Sequence, residues 1–213
     1  RVFQNRFDTG AFGIEVDGGS AAGLTTPDIE GCWFDGLSRA GIRIHDTATT
    51  NLNLATLINA CRFDRTAPGI SIESPDVAAA STNVSVSLST FRGGTFLPAI
   101  DVKDKDASGT NLAVERCSFL RSYGAVHYQG LAGTRSTRVA VRRNTLTGPF
   151  VGFSIGLVGL GAFSYVSEHN LIRGGNLGLS LESSTPGAGL NLSVSVLGDR
   201  FLTSSSSSHV VLG

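Results

Sequence analysis

Large apolar residues return at a nearly constant interval along this chain. Phe7, Phe34, Phe63, Phe91, Phe119, Leu146, Ile172 and Phe201 are separated by 27, 29, 28, 28, 27, 26 and 29 residues. A fixed period in this range marks a repeat architecture, in which one unit cannot bury its own apolar face and stacked units share a continuous core. Two further rows keep the same phase. Five positions before each anchor stand Val2, Ile29, Ile58, Val86, Val114, Val141, Ser167 and Val196. After each anchor comes an alternating apolar pair: Ile14 and Val16, Ile42 and Ile44, Ile70 and Ile72, Ile100 and Val102, Val126 and Tyr128, Phe153 and Ile155, Leu179 and Leu181, Val210 and Leu212.

Alternation at period two within a segment means strand, and the longer period places equivalent strands above one another. The expectation is an all-β, single-stranded parallel β-helix (a solenoid) of about eight coils of 26–29 residues, with residues 1–213 forming one domain. Helical repeats would need apolar residues at helical spacing, and the abundance of Gly, Ser and Thr opposes them. The row two before each anchor reads Asn5, Cys32, Cys61, Ser89, Cys117, Asn144, Asn170 and Asp199. Small hydrogen-bonding side chains there suit a tight turn, and stacked copies can bond one another between coils. With no CxxC or Cys/His spacing beside them, the three cysteines read as packed thiols, at least one of them free.

The phrase Asn or Cys, any residue, Phe, followed by Gly-Ile-x-Ile as in Gly41 to Ile44 and Gly69 to Ile72, resembles the right-handed parallel β-helix superfamily of pectate lyases, polygalacturonases, tailspikes and surface adhesins. The resemblance covers the whole chain. It implies right-handed winding and an extracellular or cell-surface setting, and it does not choose among the superfamily's activities. The Asn-Thr-Asp, Gly-His-Gly and Arg-Ile-Lys motifs of polygalacturonase-like sequences are absent, as are the Trp-Ile-Asp-His and Asp-Pro-His-Glu elements of lyase-like and epimerase-like ones.

Candidate chemistry lies on the outward positions of the strand after the anchor. One row reads Glu15, Arg43, Ser71, Asp101, His127, Ser154, Ser180, and beside it run Asp17, His45, Glu73, Lys103, Gln129, Leu157, Glu182. A polysaccharide lyase or hydrolase needs carboxylates, or a base with a cationic neutraliser, on one exposed face, and Arg43, His45, Glu73, Asp101, Lys103 and His127 are the candidates. The competing expectation is a solvated ladder of opposite charges on adjacent coils: Glu15 with Arg43, Glu73 with Lys103, Asp101 with His127. Asp104, Asp106, Ser108 and Glu115 nearly reproduce a calcium-loop spacing, so a calcium site is a candidate there, and no other cofactor is expected. Trp33 and Arg62 should point outward, within reach of a sugar. The stretch Gly148 to Val166 holds five glycines and two serines, so it belongs to the repeat and not to a membrane span. Its Phe150, Leu157, Val158 and Leu160 are expected on the outside, either packed under a loop or forming a contact patch for a neighbouring molecule.

The 17 basic and 17 acidic side chains cancel, which argues against nucleic acid or an anionic membrane as partner. The chain opens at Arg1 with no charged-then-apolar leader, so export is not directly readable. Neither end shows an amphipathic helix or a Pro-rich cover, so coils are expected to meet further coils end to end, of this chain or of a copy. Uniform coil lengths leave little room for long cleft-forming loops. The leading expectation is therefore a structural or adhesive role, with a carbohydrate-active enzyme as the alternative.

Overall fold

The structure is a computed structural model that describes residues 1–17, 26–45, 53–66, 68–74, 81–94, 96–104, 109–130, 136–149, 151–157, 161–183, 190–202 and 208–212. The chain winds through three parallel sheets, each eight strands deep, and visits them in the same order on every coil. The first sheet holds Val2–Phe3, Asp28–Glu30, Asn53–Asn59, Ser81–Ser87, Gly109–Glu115, Ser136–Arg142, Gly161–Glu168 and Leu190–Leu197. The second is built from three-residue strands: Arg6–Asp8, Trp33–Asp35, Arg62–Asp64, Thr90–Arg92, Ser118–Leu120, Thr145–Thr147, Leu171–Arg173 and Arg200–Leu202. The third holds Phe12–Asp17, Ala40–His45, Ile70–Glu73, Ile100–Asp104, Gly124–Gly130, Val151–Leu157, Leu177–Ser183 and Ser208–Leu212. There is no helix among the described residues. The expected parallel β-solenoid is the fold.

Register follows the sequence rows residue by residue. Phe7 pairs with Phe34, Phe34 with Phe63, and the row continues to Ile172 with Phe201. Inside, Phe7, Phe34, Phe63, Phe91 and Phe119 form one stack, with ring centroids 5.0, 4.8, 4.6 and 4.9 Å apart and planes within 8° of parallel. That spacing is the separation of neighbouring strands, so the backbone ladder and the ring stack reinforce one another. The first-sheet strand Ser81–Ser87 alternates half-buried and buried along its whole length, which is the period-two pattern that puts Val84 and Val86 in the core.

Two corners bend each coil around the short second sheet. The first corner puts one residue per coil in the left-handed region: Gln4, Gly31, Ala60, Leu88, Arg116, Arg143, His169 and Gly198, with φ between 50° and 67°. The second does the same at Thr9, Gly36, Arg65, Gly93, Arg121, Gly148 and Gly174, with φ between 53° and 74°. The backbone N–H at the first corner still bonds the next coil, as from Ala60 to the Ser87 carbonyl at 3.0 Å, so the bend costs no ladder bond.

The polar row beside the first corner is a ladder between coils. The Cys117, Asn144 and Asn170 backbone N–H groups donate to Asn144 Oδ1, Asn170 Oδ1 and Asp199 Oδ1 at 2.9, 2.9 and 2.7 Å. Asn144 Nδ2 also donates back to the Val114 carbonyl at 3.0 Å, and the Cys61 thiol makes the matching bond to the Ile29 carbonyl at 3.6 Å. A thiol thus stands in for an amide in the same slot. All three cysteines are free and buried.

Candidate functional site

The third sheet presents the candidate residues on its outer face, because its inner positions are taken by the Ile42, Ile44, Ile70, Ile72, Ile100 and Val102 rows of the core. Pairing places Glu15, Arg43, Ser71, Asp101, His127, Ser154 and Ser180 side by side in one outward row. The adjoining row is Asp17, His45, Glu73, Lys103, Gln129, Gly156 and Glu182. Gly156 therefore occupies the place expected for Leu157. With Ile155 inside, strict alternation sends Gly156 out and Leu157 back into the core, where it is 7% exposed. The outward apolar patch expected here loses Leu157, and Phe150, Val158 and Leu160 lie outside the described residues.

The six candidates separate into two groups. Towards the first coils, Arg43 donates to Glu15 at 2.9 Å and to Glu73 at 3.3 Å, bridging three coils. His45 Nε2 lies 3.7 Å from Glu15 and 3.9 Å from Asp17. In the following coils, His127 Nδ1 meets Asp101 Oδ1 at 2.8 Å, and Lys103 Nζ lies 3.7 Å from Asp101 Oδ2. Glu15 with Arg43 and Asp101 with His127 pair as the ladder requires. Lys103 stands opposite Glu73 in register but turns to Asp101 on its own strand, while Arg43 takes Glu73. Pairs at such a partly exposed surface are each worth about 0–1 kcal/mol and chiefly neutralise the face.

A groove of about 360 Å³ opens beside the second group, lined on its polar side by Asp101, Lys103, His127 and Ser154. Its apolar side is Leu97, Pro98, Tyr123 and Val151. Leu97 and Tyr123 are exposed, as is Phe96 next to them. These apolar neighbours are off the period and so escape row reading. The signal for them is length: the segment from Phe91 to Ile100 is two residues longer than that from Phe63 to Ile70.

The two described calcium candidates, Asp104 and Glu115, lie on different sheets. Asp104 points into the interior, 3% exposed. Its carboxylate accepts from Thr110 Oγ1 at 2.7 Å, the Thr110 backbone N–H at 3.1 Å, the Tyr128 hydroxyl at 2.6 Å and Thr137 Oγ1 at 3.3 Å. Burial, reinforced by Asp104, holds the Tyr128 phenol well above its usual value, so it stays a donor. Glu115 lies on the outside of the first sheet with Arg143 at 3.3 Å and Arg116 at 3.5 Å. Asp106 and Ser108 lie outside the described residues. A cation at this turn would compete with Tyr128 and Thr110 for Asp104.

Trp33 is outward and half-buried, but its neighbours in register occupy both faces of the indole. The Arg6 guanidinium sits 3.8 Å and that of Arg62 4.8 Å from the ring centroid, and Trp33 Nε1 donates to Asp64 at 3.0 Å. The stack leaves only the ring edge for a sugar. Burial pushes the Cys61 and Cys117 thiols up to about 12. No helix is long and apolar enough to cross a membrane among the described residues. The chain matches no family model, no curated protein and no solved structure.

Proposed function

We propose that this chain is a secreted or surface-displayed structural or adhesive β-helix that continues, coil on coil, into a longer assembly or fibre. The observation that carries the reading is the unbroken register of the repeat, in which every inward row is covered by the coil stacked on it. Leu192, Val194 and Val196 are 43%, 41% and 42% exposed, whereas their partners one coil below, Phe163, Tyr165 and Ser167, are 4%, 0% and 1% exposed. Each inward row is thus closed by the coil stacked on it. A coil that presents these rows is a template on which a further coil, of this chain or of a second copy, can add. We place the chain with the pectate-lyase-like β-helices, wound right-handed. The recurring motif supports the first, and the strong right-handed preference of parallel crossovers supports the second.

The test is light scattering and electron microscopy of the 213-residue protein over rising concentration. Association into rods is expected, with Val194→Lys abolishing it while the β-sheet circular dichroism is kept. A monodisperse monomer at the highest concentration rules out self-stacking.

The alternative, a carbohydrate-active lyase, hydrolase or epimerase, draws on the groove beside Asp101 and His127. Release of unsaturated uronate or reducing ends from acidic polysaccharides, lost on Asp101→Ala, would favour it. No release is the expected outcome, because the face neutralises its own charges.

A further inference from the structure

In the groove on the third sheet, three successive coils present an acid, a base and a hydroxyl in register: Asp101 opposite His127, and His127 opposite Ser154. We propose that these residues form a nucleophilic relay that hydrolyses small esters, with Ser154 as nucleophile, His127 as general base and Asp101 as the residue that positions the imidazole. This activity stands apart from the stacking role, and neither depends on the other.

Three observations point the same way. Asp101 is already bonded to Nδ1 of His127 at 2.8 Å, which fixes the ring and leaves Nε2 as the nitrogen facing away from the acid. The next coil, about 4.8 Å further along the stack, carries Ser154 at the position paired with His127. Second, the side chains line one groove of about 360 Å³ whose other wall is apolar, with Leu97 and Tyr123 exposed there. That volume suits a small acyl group. Third, the outward neighbour of Ser154 along its strand is Gly156, where even an added Cβ would meet only the Tyr128 carbonyl oxygen, at 3.8 Å, so no side chain crowds the hydroxyl from that position.

Glycoside cleavage fits the groove less well. It requires two carboxyl groups flanking the bond, and Asp101 is the only carboxylate lining it, already shared between His127 and Lys103. Ester cleavage needs no second acid. Ser154 Oγ attacks the carbonyl carbon as its proton passes to His127 Nε2, and the carbonyl π pair moves to oxygen, towards the Lys103 ammonium in the same groove. The tetrahedral species collapses, the C–O bond to the alcohol breaks, and the leaving oxygen takes the proton from His127. Water, deprotonated by the same imidazole, then releases the acid and regenerates Ser154.

A fluorophosphonate probe followed by intact-mass analysis tests the nucleophile directly, and p-nitrophenyl acetate tests turnover. The expected result is a single adduct and measurable hydrolysis in the native protein, with both lost in Ser154→Ala. Ser180→Ala, one coil further along the same row and bonded to Glu182 at 2.8 Å, should keep both and reports on row integrity. Asp101→Asn should lower kcat by roughly 10³–10⁴-fold with little change in KM, because it favours the wrong imidazole tautomer and leaves binding alone. An unlabelled native protein, an adduct that survives Ser154→Ala, or equal loss in Ser180→Ala would each overturn the assignment.

Discussion

A Cβ added at Gly41 would sit 2.7 Å from the Phe63 ring and 2.7 Å from the Gly69 carbonyl oxygen. Gly13 stands in the same relation to Phe34, and Gly69 to Phe91. Stacked phenylalanines cannot step aside singly, since each ring is held by the one above and below. Gly41→Ala should therefore cost about 1–3 kcal/mol of stability by overpacking, read as a lower denaturation midpoint at unchanged slope. Coil four already has Ala99 at the matching place, buried, so the constraint is set by the local ring and not by the row. The cysteines allow a second prediction. Folded Cys61 and Cys117 hold their protons to about pH 12, whereas unfolded thiols release them from about pH 9. Proton release then favours the unfolded chain, so their contribution to stability is complete below about pH 9 and declines as pH rises towards 12. Melting temperatures across that range should fall more steeply for the native protein than for a Cys61→Ala, Cys117→Ala variant.

At the level of the strand and corner, the bends around the second sheet show where sequence and structure part. The strand rows were legible because each carries one chemical class: Phe63, Phe91 and Phe119 announce their own stacking, and Val86 and Val114 announce their pairing. The first corner carries no class at all. Gln4, Ala60, Leu88, Arg116 and His169 share only a backbone angle, imposed by the ladder on either side, and no side-chain pattern reveals it. Removing the Cβ at such a site relieves the left-handed strain, so Ala60→Gly should raise stability by about 0.5–1 kcal/mol in chemical denaturation, after the larger entropy of the unfolded glycine is subtracted. Gly31 and Gly198 already occupy this position in other coils. The candidate site was legible to the same extent. Register found Asp101 beside His127. The choice of Arg43 over Lys103 by Glu73 depends on side-chain reach, and the inward turn of Leu157 on counting alternation through Gly156. The apolar wall of the groove belongs to a lengthened corner, where a periodic reading has nothing to compare.

For the molecule as a whole, the spacing of rows separates what can vary from what cannot. From the first-sheet row to the anchor the distance is five residues in every coil, while the anchor-to-third-sheet segment lengthens at Phe91 to Ile100 and supplies the groove. The short corner is the rigid part of the repeat, and variation in length is absorbed elsewhere without disturbing register. Among the described residues, pairing joins only neighbouring coils: Val2 meets Ile29, Ile29 meets Ile58, and so on to Ser167 and Val196. Every addition to the stack thus closes a loop of nearly the same length onto a finished template. Assembly of this fold has the form of growth on a seed, in which the first two coils carry the entropic penalty and each later one repeats the same small step, so lengthening the rod need not slow its completion.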